Sequence, residues 1–377
     1  MIRRRFVPVA AAALAIPALF SARESRGQEA FRSAKASYRL VTLARKLEQP
    51  WSMAFLPDGR MLITERPGRL RIFAGGKLEP RPLEGVPKVF VSGQAGLLDI
   101  CLHPGFAQNR VLYLSYIDGD NRHSVTSVAR AELGDGGLKN VTKIFAAEPG
   151  ASGSFNLGSR ILFDRAGKMY VSTGDRFQMM RAQDLADLAG KIVRLNDDGT
   201  VPTDNPFVGR ANVRPEIFTW GNRNPQGLTL HPTTGRIWEV EHGPKGGDEL
   251  NIVKAGGNYG WPLVTYGTNY DGSIITNERH RDGMEDALRT WVPSISPCGL
   301  TFYTGDKFPG WKGSLFTGAL SNYALFRIEV DGERYLREER LLVDRLPYIR
   351  DIRQGPDGLL YLVTHTDDGG LFRLEPA

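Results

Sequence analysis

The sequence is poor in cysteine, with Cys101 and Cys298 as the only two in 377 residues. They lie far apart in the chain and each has apolar neighbours in sequence. We therefore expect two separate small core residues, with a disulfide in an oxidising compartment as the alternative. Two such isolated thiols do not indicate a zinc site or thiol redox catalysis.

Long hydrophobic runs are also missing. The apolar run at residues 6–20 follows three arginines and is too short to span a bilayer, which is typical of a secretory signal peptide. We predict a signal peptide at residues 1–27, cleaved near Gly27 or after Ala22, with a twin-arginine signal as an open alternative. No later segment offers about 18 apolar residues without a charge, so we expect no membrane span in the mature protein and a periplasmic or secreted location.

Positive charge is scarce once the signal peptide is set aside. The full chain carries a formal charge of +6, and residues 1–27 hold five arginines against one glutamate. The mature chain therefore carries only +2. Nucleic acid and anionic membranes are poor candidate partners for such a chain.

Helical periodicity is weak, and the best helical candidate, residues 182–195, reads equally as a short helix or as a loop entering a strand. A turn rich in Gly, Asp, Asn or Pro, followed by alternating apolar and polar residues, recurs instead. Six copies are present, at residues 56–66, 103–117, 164–176, 231–243, 308–320 and 355–376.

The repeat indicates the fold. A spacing of roughly 45 to 75 residues suits four-stranded blades with variable loops. We predict an all-β, six-bladed β-propeller of four-stranded antiparallel blades, with a lead-in at 28–42 and a single propeller domain at 43–377. Two β-sandwiches are the alternative, but no Pro- or Ser-rich linker separates two halves.

Residues that could bind a ligand are scattered along the chain, as expected when loops from every blade meet at one mouth. "WGNRNPQGL" at residues 220–228 offers Arg223, Asn224 and Gln226, which suit a planar anion with carbonyl oxygens. Gly243 and Pro244 form a turn whose carbonyls can face a hard cation such as calcium, although ordinary tight turns need the same residues.

Several phrases occur together in the order typical of one protein family. These are "GQAGLLDICLHPGFAQNRVLYLSY", "GSRILFDRAGKMYVSTGDR", "WGNRNPQGL", "EHGPKGGDELN", "GGNYGWP" and "IRDIRQGPDGLLYLVT". They resemble the soluble PQQ-dependent aldose sugar dehydrogenases, the glucose/sorbosone dehydrogenase family. The likeness covers about residues 43–376.

The resemblance implies a set of binding residues. Those that would hold pyrroloquinoline quinone (PQQ) are Arg223, Asn224, Gln226 and Arg350, with Tyr348 where the family often has a further arginine. Ser321 aligns with a lysine of some members. The carbonyls of Gly243 and Pro244 would bind a calcium ion, Glu249 and Tyr259 would serve a second, structural calcium, and Gln94 would lie beside the sugar.

The resemblance also implies the reaction. Hydride would pass from the anomeric carbon of an aldose to calcium-bound PQQ, giving a lactone and leaving electrons for an unidentified acceptor. Arg223 would help polarise the quinone, a base would take the sugar proton, and Asp175 would orient that base.

The position of the base departs from the family pattern. In "FNLGSRILFD", residues 155–164, the family's histidine base is replaced by Asn156. An amide cannot take up a proton near neutral pH, so we expect slow turnover or none. Tyr348 and Ser321 stand where family members often have positive groups that would neutralise the carboxylates of the quinone, so we also expect weaker cofactor binding. His242 is a candidate substitute base or substrate contact, although relatives with the usual base also carry a histidine there.

Three functions therefore remain open. The first is a PQQ-dependent aldose dehydrogenase, slow or altered in substrate. The second is a degenerate propeller that binds calcium and sugar without turnover. The third is a calcium-dependent lactone hydrolase, which needs a carboxylate-lined central metal that this sequence does not suggest.

Overall fold

The computed structural model describes residues 29–377, so the predicted signal peptide lies outside the described residues. The strands form six antiparallel sheets, five with four strands and one with five. The first strand of each sheet contacts the first strands of both neighbouring sheets, which closes the six sheets into a ring. The predicted six-bladed β-propeller is confirmed, and one blade carries an additional strand.

The strands follow one another blade by blade. The described chain starts with β1 (Ala30–Arg32) and β2 (Ser37–Leu47). Blade 1 contains β3 (Pro50–Phe55), β4 (Met61–Glu65), β5 (Arg69–Ala74) and β6 (Lys77–Leu78). Blade 2 contains β7 (Leu97–Leu102), β8 (Val111–Gly119), β9 (Ser124–Leu133) and β10 (Leu138–Ala146). Blade 3 contains β11 (Ile161–Phe163), β12 (Met169–Thr173), β13 (Lys191–Leu195) and β14 (Ile217–Trp220).

The second half of the ring repeats this order. Blade 4 contains β15 (Pro225–Leu230), β16 (Ile237–Glu241), β17 (Asp248–Ile252) and β18 (Arg289–Trp291). Blade 5 contains β19 (Pro297–Phe302), β20 (Leu315–Ala319), β21 (Leu325–Asp331) and β22 (Arg334–Leu341). Blade 6 contains β23 (Ile349–Gln354), β24 (Leu360–Thr364) and β25 (Gly369–Pro376), completed by β2 and β1.

Each of the six repeated phrases lies at the same place in its blade. The turn residues connect the first strand to the second, and the alternating residues form the second strand, namely β4, β8, β12, β16, β20 and β24. Gly59, in the first of these turns, has a φ of 86°, a conformation that other residues rarely adopt. The repeat in the sequence is therefore the first hairpin of a blade.

Helices are few and short. They are α1 (Phe106–Asn109) and two 3-10 turns at Met179–Gln183 and Pro309–Trp311. The helical candidate at residues 182–195 is a 3-10 end and a loop that lead into β13. No helix within residues 29–377 is long and apolar enough to cross a membrane.

The ring is closed by both ends of the chain. Strand β2 pairs with β25 along its length, from Tyr38 opposite Pro376 to Leu47 opposite Gly369. Position 43, the predicted start of the propeller, lies inside β2. The last blade thus joins strands from the two ends of the sequence.

Apolar side chains fill the spaces between blades, while the axis is polar. One large apolar cluster packs blade 6 against blade 5 around Tyr38, Trp311 and Phe372. On the axis, Arg160 donates to Asp351 (Nη1 to Oδ1, 2.9 Å) and Arg353 donates to Asp99 (Nη2 to Oδ1, 2.7 Å). These ion pairs lie in the central channel of the propeller. Cys101 and Cys298 are free thiols, as expected.

Candidate active site

Residues from all six blades meet at one mouth of the propeller. They lie in the loops and strand ends where each blade's first strand begins and its second strand ends. An open cavity of about 720 Å³ lies there, and a smaller cavity of about 30 Å³ lies beneath it. The two share Gln94, His242 and Leu320 in their walls. We call them the outer cavity and the inner cavity.

Asn156 lies in the wall of the outer cavity, in the loop before β11. Its φ of 49° is in the left-handed region, which asparagine tolerates better than most residues. Its Nδ2 donates to Asp175 Oδ1 (2.8 Å), and its backbone NH donates to Gln94 Oε1 (3.0 Å). Since an ionised carboxylate only accepts hydrogen bonds, the amide nitrogen must face Asp175. The amide oxygen then remains available to a ligand as an acceptor.

Asp175 is buried and accepts three hydrogen bonds. Besides Asn156, its donors are the backbone NH of Phe177 (2.9 Å) and Nε1 of Trp261 (2.8 Å). The carboxylate is therefore fixed in position by its surroundings. It holds the side chain at position 156 by the kind of hydrogen bond that would orient an imidazole N–H.

Arg223 follows β14 and is buried between the outer cavity and the loop after β16. Its Nη1 donates to the carbonyls of His242 (2.9 Å) and Gly243 (2.7 Å), and its Nη2 donates to the Tyr270 hydroxyl (3.2 Å). Its Nε has no partner in the described part of the chain. The Arg223 guanidinium thus donates to one of the two carbonyls predicted to bind calcium, that of Gly243.

Arg350, Gln226 and Asn224 form the wall of the inner cavity. Arg350 donates from Nη1 to Gln226 Oε1 (3.1 Å), and Gln226 donates from Nε2 to Asn224 Oδ1 (3.1 Å). Burial lowers the pKa of Arg350, and its Nε is buried without a partner among residues 29–377. An unpaired buried N–H is costly unless a ligand accepts from it, so the wall is built to meet an acceptor.

His242 borders both cavities and is held by blade 5. Its Nε2 lies 3.0 Å from the Pro297 carbonyl and 3.5 Å from Cys298 Sγ. A carbonyl only accepts, so Nε2 carries the proton and Nδ1 is the free acceptor. Burial, with Arg350 and Arg223 nearby, lowers the pKa of His242 to about 3, which makes it a weak base at neutral pH.

Gly243 and Pro244 form the predicted turn beside the outer cavity. The turn is fixed by Asp248, whose Oδ1 accepts from the Gly243 NH (2.7 Å) and whose Oδ2 accepts from the NH of Ile295 (2.6 Å). Asp248 therefore supports the turn from behind and does not face the cavity.

Glu249 and Tyr259 lie behind this turn, away from the outer cavity. The Tyr259 hydroxyl donates to the Ile252 carbonyl (2.7 Å), and Glu249 Oε2 accepts from Asn251 (3.1 Å). Burial raises the pKa of Glu249 to about 7 and that of the neighbouring Glu239 to about 8. The two predicted ligands of a structural calcium are near one another in a buried, acidic part of blade 4.

One of the predicted cofactor-binding residues does not line either cavity. Tyr348 is half-exposed at the rim, where its hydroxyl accepts from the Tyr323 hydroxyl (3.0 Å). Ser321, by contrast, lies in the outer cavity wall. The other predicted cofactor and substrate residues gather around the two cavities: Gln94, Asn156, Arg223, Asn224, Gln226, His242, Gly243, Pro244 and Arg350.

Sequence reasoning missed several supporting residues. Glu241 Oε2 accepts from the backbone NH groups of both Arg223 (2.5 Å) and Asn224 (3.1 Å), so it positions two site residues. Trp51 lies under the Arg160 and Arg350 guanidinium groups, with its ring centroid 4.1 and 5.4 Å from them. Glu241 directly precedes the "HGP" phrase and could have been noticed, whereas nothing local marks Trp51.

The donor set fits the predicted cofactor. PQQ is a planar molecule with carboxylate and carbonyl oxygens. The two cavities present two amides beside two arginines whose Nε atoms have no partner within residues 29–377. Arginine and amide donors suit such oxygens. The carbonyls of the 243–244 turn supply the oxygen atoms that calcium prefers.

Comparison with known proteins agrees with this geometry. The family model "Glucose / Sorbosone dehydrogenase" matches residues 47–373. Aldose sugar dehydrogenase YliI of Escherichia coli (strain K12) is 43% identical over 351 residues, covering 91% of this chain and 94% of that protein. A glucose dehydrogenase crystal structure superposes with a TM-score of 0.87 at 46% identity, over 89% of this chain and 98% of that one. The PQQ-bound aldose sugar dehydrogenase of Streptomyces coelicolor gives a TM-score of 0.75 at 28% identity, over 90% and 98% of the two chains.

Proposed function

The chain belongs to the glucose/sorbosone dehydrogenase family of oxidoreductases, and from this premise we propose that it oxidises the anomeric carbon of an aldose to a lactone with calcium-bound PQQ. One observation carries the proposal. Asn224, Gln226 and Arg350, which come from two distant segments of the sequence, line the inner cavity, and Arg223 lines the adjoining outer cavity. The Nε atoms of both arginines are buried without a partner among residues 29–377.

The chain's own groups would hold the cofactor. When bound, PQQ supplies a quinone that accepts the hydride from the sugar. Arg350 and Arg223 would bind its acidic oxygens, while Asn224 and Gln226 would fix its orientation. Gly243 and Pro244 would hold calcium through their carbonyls, and Arg223, which donates to the Gly243 carbonyl, would lie beside the ion and bind the quinone.

Asn156 would bind the sugar but could not accept its proton. Its amide oxygen can accept a hydrogen bond from the anomeric hydroxyl, and Gln94 lies beside it. Loss of a general base costs about 10²- to 10⁴-fold in rate. We therefore propose slow turnover, in which the proton passes to solvent hydroxide and the rate rises with pH.

The same residue favours a second candidate, a propeller that binds the cofactor and sugar without turnover. Asp175 still holds Asn156 as it would hold a base, so the binding geometry is kept while the proton acceptor is lost. The two candidates share their ligands and differ only in whether the bound quinone is reduced.

Reconstitution of the mature chain tests both candidates. The purified protein would be loaded with calcium and PQQ, mixed with a panel of aldoses, and followed by the absorbance change of the quinone on reduction. Reduction by an aldose, with a rate that increases with pH, supports the dehydrogenase. Binding of PQQ without reduction by any aldose supports the binding propeller, and failure to bind PQQ contradicts both.

We further propose that the protein acts outside the cytoplasm, on an aldose reaching the periplasm or the medium. The predicted signal peptide at residues 1–27 is the basis for this location. Fractionation of cells for the mature chain, with its N-terminus determined, tests it.

A further inference from the structure

Three exposed aromatic side chains form a row that begins in the wall of the outer cavity, with Phe177 and Tyr270, and continues to Phe155 beside it. Phe155 and Phe177 meet edge to face, with ring centroids 5.7 Å apart, and Phe177 stacks on Tyr270 at 6.1 Å. Their exposed fractions are 49%, 49% and 61%. Large aromatic rings are usually buried, so three adjacent exposed rings beside a cavity indicate a binding surface.

The row is held in place by the site itself. Arg176 and Phe177 have φ values of 59° and 58°, a conformation that is strained for bulky side chains. The Arg176 guanidinium is buried and donates to the carbonyls of Ser124 (2.7 Å) and Gly153 (2.9 Å), which ties the loop of Phe177 to that of Phe155. The Tyr270 hydroxyl accepts from Arg223.

The chemistry of the outer cavity points to a flat, weakly polar ligand. Tyr266, Val292, Pro293 and Leu320 continue the apolar wall beyond the aromatic row. Away from Gln94 and Asn156, the lining within residues 29–377 has no carboxylate or amide side chain. Its charged members are Arg223 and Lys245, and its other polar side chains are mostly hydroxyls. A planar ring can stack on the aromatic row, whereas a further sugar unit would lack the carboxylates and amides that would bind its hydroxyls in pairs.

We propose that the Phe155–Phe177–Tyr270 row binds a small quinone that serves as the electron acceptor. This inference rests on the proposed function, in which a sugar leaves two electrons and a proton on the cofactor. The acceptor quinone gains two electrons and two protons and becomes a hydroquinone, and the cofactor returns to its oxidised form; the second proton comes from solvent. The acceptor stacks on Phe177, beside Arg223 and the inner cavity.

Binding to the protein without PQQ is the first test. A short-chain ubiquinone would be titrated into the full mature chain by calorimetry, in the wild type and in Phe177→Leu, which keeps an apolar side chain but removes the ring. We expect about five- to tenfold weaker binding in the variant, and recovery in Phe177→Tyr. The matched control is Leu336→Ala, an exposed apolar residue on β22, which we expect to bind as the wild type does.

Reoxidation of the loaded protein is the second test. The PQQ form would be reduced with dithionite, so that no sugar is needed, and then mixed with the short-chain ubiquinone or with ferricyanide. We expect Phe177→Leu to lower the ratio of the ubiquinone rate to the ferricyanide rate by about fivefold or more. This test uses no sugar. A protein that fails to oxidise aldoses would therefore contradict the proposed function but would leave the result of this test unaffected.

Several results would overturn the inference. In the binding test, these are a lack of saturable ubiquinone binding and displacement of ubiquinone by maltose. In the reoxidation test, they are an unchanged ratio of the ubiquinone rate to the ferricyanide rate in Phe177→Leu, and a slower reoxidation in that variant only with protein electron carriers. Maltose competition would assign the row to a second sugar unit, and the last result would assign it to a protein partner.

Discussion

At the scale of single residues, position 156 decides whether bound sugar can be oxidised efficiently. Replacement of Asn156 by His places an imidazole within reach of Asp175 Oδ1, which now accepts from the Asn156 amide at 2.8 Å. We expect Asn156→His to raise the rate of quinone reduction by about 10²- to 10⁴-fold near pH 8. A new ionisation near the usual histidine pKa of about 6.5 should appear in the profile of rate against pH.

The pH profile separates this effect from a change in packing. In the wild type the rate should keep rising above pH 7, since hydroxide takes the proton, whereas in Asn156→His it should level off above the pKa of the new imidazole. Asn156→Ala serves as the control: its rate should follow the wild-type pH profile and show no ionisation near pH 6.5. A wild-type rate that already levels off near pH 7 would show that another group accepts the proton.

Arg350 is the residue whose geometry matters most for the cofactor. Lysine at this position keeps the charge but loses the planar fork, and with it at least one charge-assisted hydrogen bond of about 1.5–3 kcal/mol. We expect Arg350→Lys to weaken PQQ binding about 10- to 100-fold, measured by quenching of tryptophan fluorescence in the presence of calcium. Arg345→Lys, at an exposed ion pair with Glu29, is the matched control. Equal affinities of the two variants for PQQ would show that Arg350 does not bind the cofactor.

At the scale of elements, the loop from β12 to β13 carries Asp175 and Phe177 and is fastened by one buried lysine. Lys191 Nζ donates to the carbonyls of Arg181 (2.9 Å), Ala182 (3.1 Å) and Ala189 (2.7 Å). Burial lowers the pKa of Lys191 to about 7. Between that value and the usual value of about 10.4, the unfolded chain binds more protons than the folded chain, so this group makes the protein more stable as pH rises.

Lys191→Met removes this contribution. We therefore expect the stability of the wild type relative to Lys191→Met to increase from pH 7 to pH 9, by at most about 1.4 kcal/mol per pH unit. Urea unfolding of both proteins at several pH values measures the difference. Lys312→Met, at an exposed ion pair with Asp306, should show no such trend. A constant difference for Lys191→Met would mean that the buried amine keeps its ordinary pKa.

The elements also show what could be predicted from sequence. The second strand of every blade can be predicted because a turn and a period-two pattern are local signals, as in residues 56–66 and 355–364. The predicted lead-in at 28–42 contains β1 and the first part of β2, whose pairing no local pattern reveals. The partner strand, β25, lies more than 300 residues away, as in the pairing of Tyr38 with Pro376. Arg223 and Arg350 could be predicted as site residues from the family motifs. Trp51, Tyr270 and Phe177 could not, because they reach the site only through long-range packing that no local pattern encodes.

At the scale of the whole molecule, the ring depends on its closure by β2. This strand covers β25, and it buries Tyr38 and Leu47 at exposed fractions of 1% and 0%. Loss of the strand would open the edge of blade 6 and uncover the apolar cluster shared with blade 5. Because the site is built from residues of several blades, opening the ring would also separate Arg350, in the first strand of blade 6, from Arg160 and Gln226.

Truncation tests this dependence. A chain that begins at residue 48 lacks β1 and β2, while a control chain that begins at residue 29 keeps both. We expect the shorter chain to lose at least about 3 kcal/mol of unfolding free energy, since burial of one large apolar side chain contributes about 1.5–3 kcal/mol and at least two are lost. Self-association through the open edge of β25 should accompany the loss, because an unpaired strand edge pairs readily with another chain. Equal urea midpoints and a monomeric state for both chains would show that the ring holds without this strand.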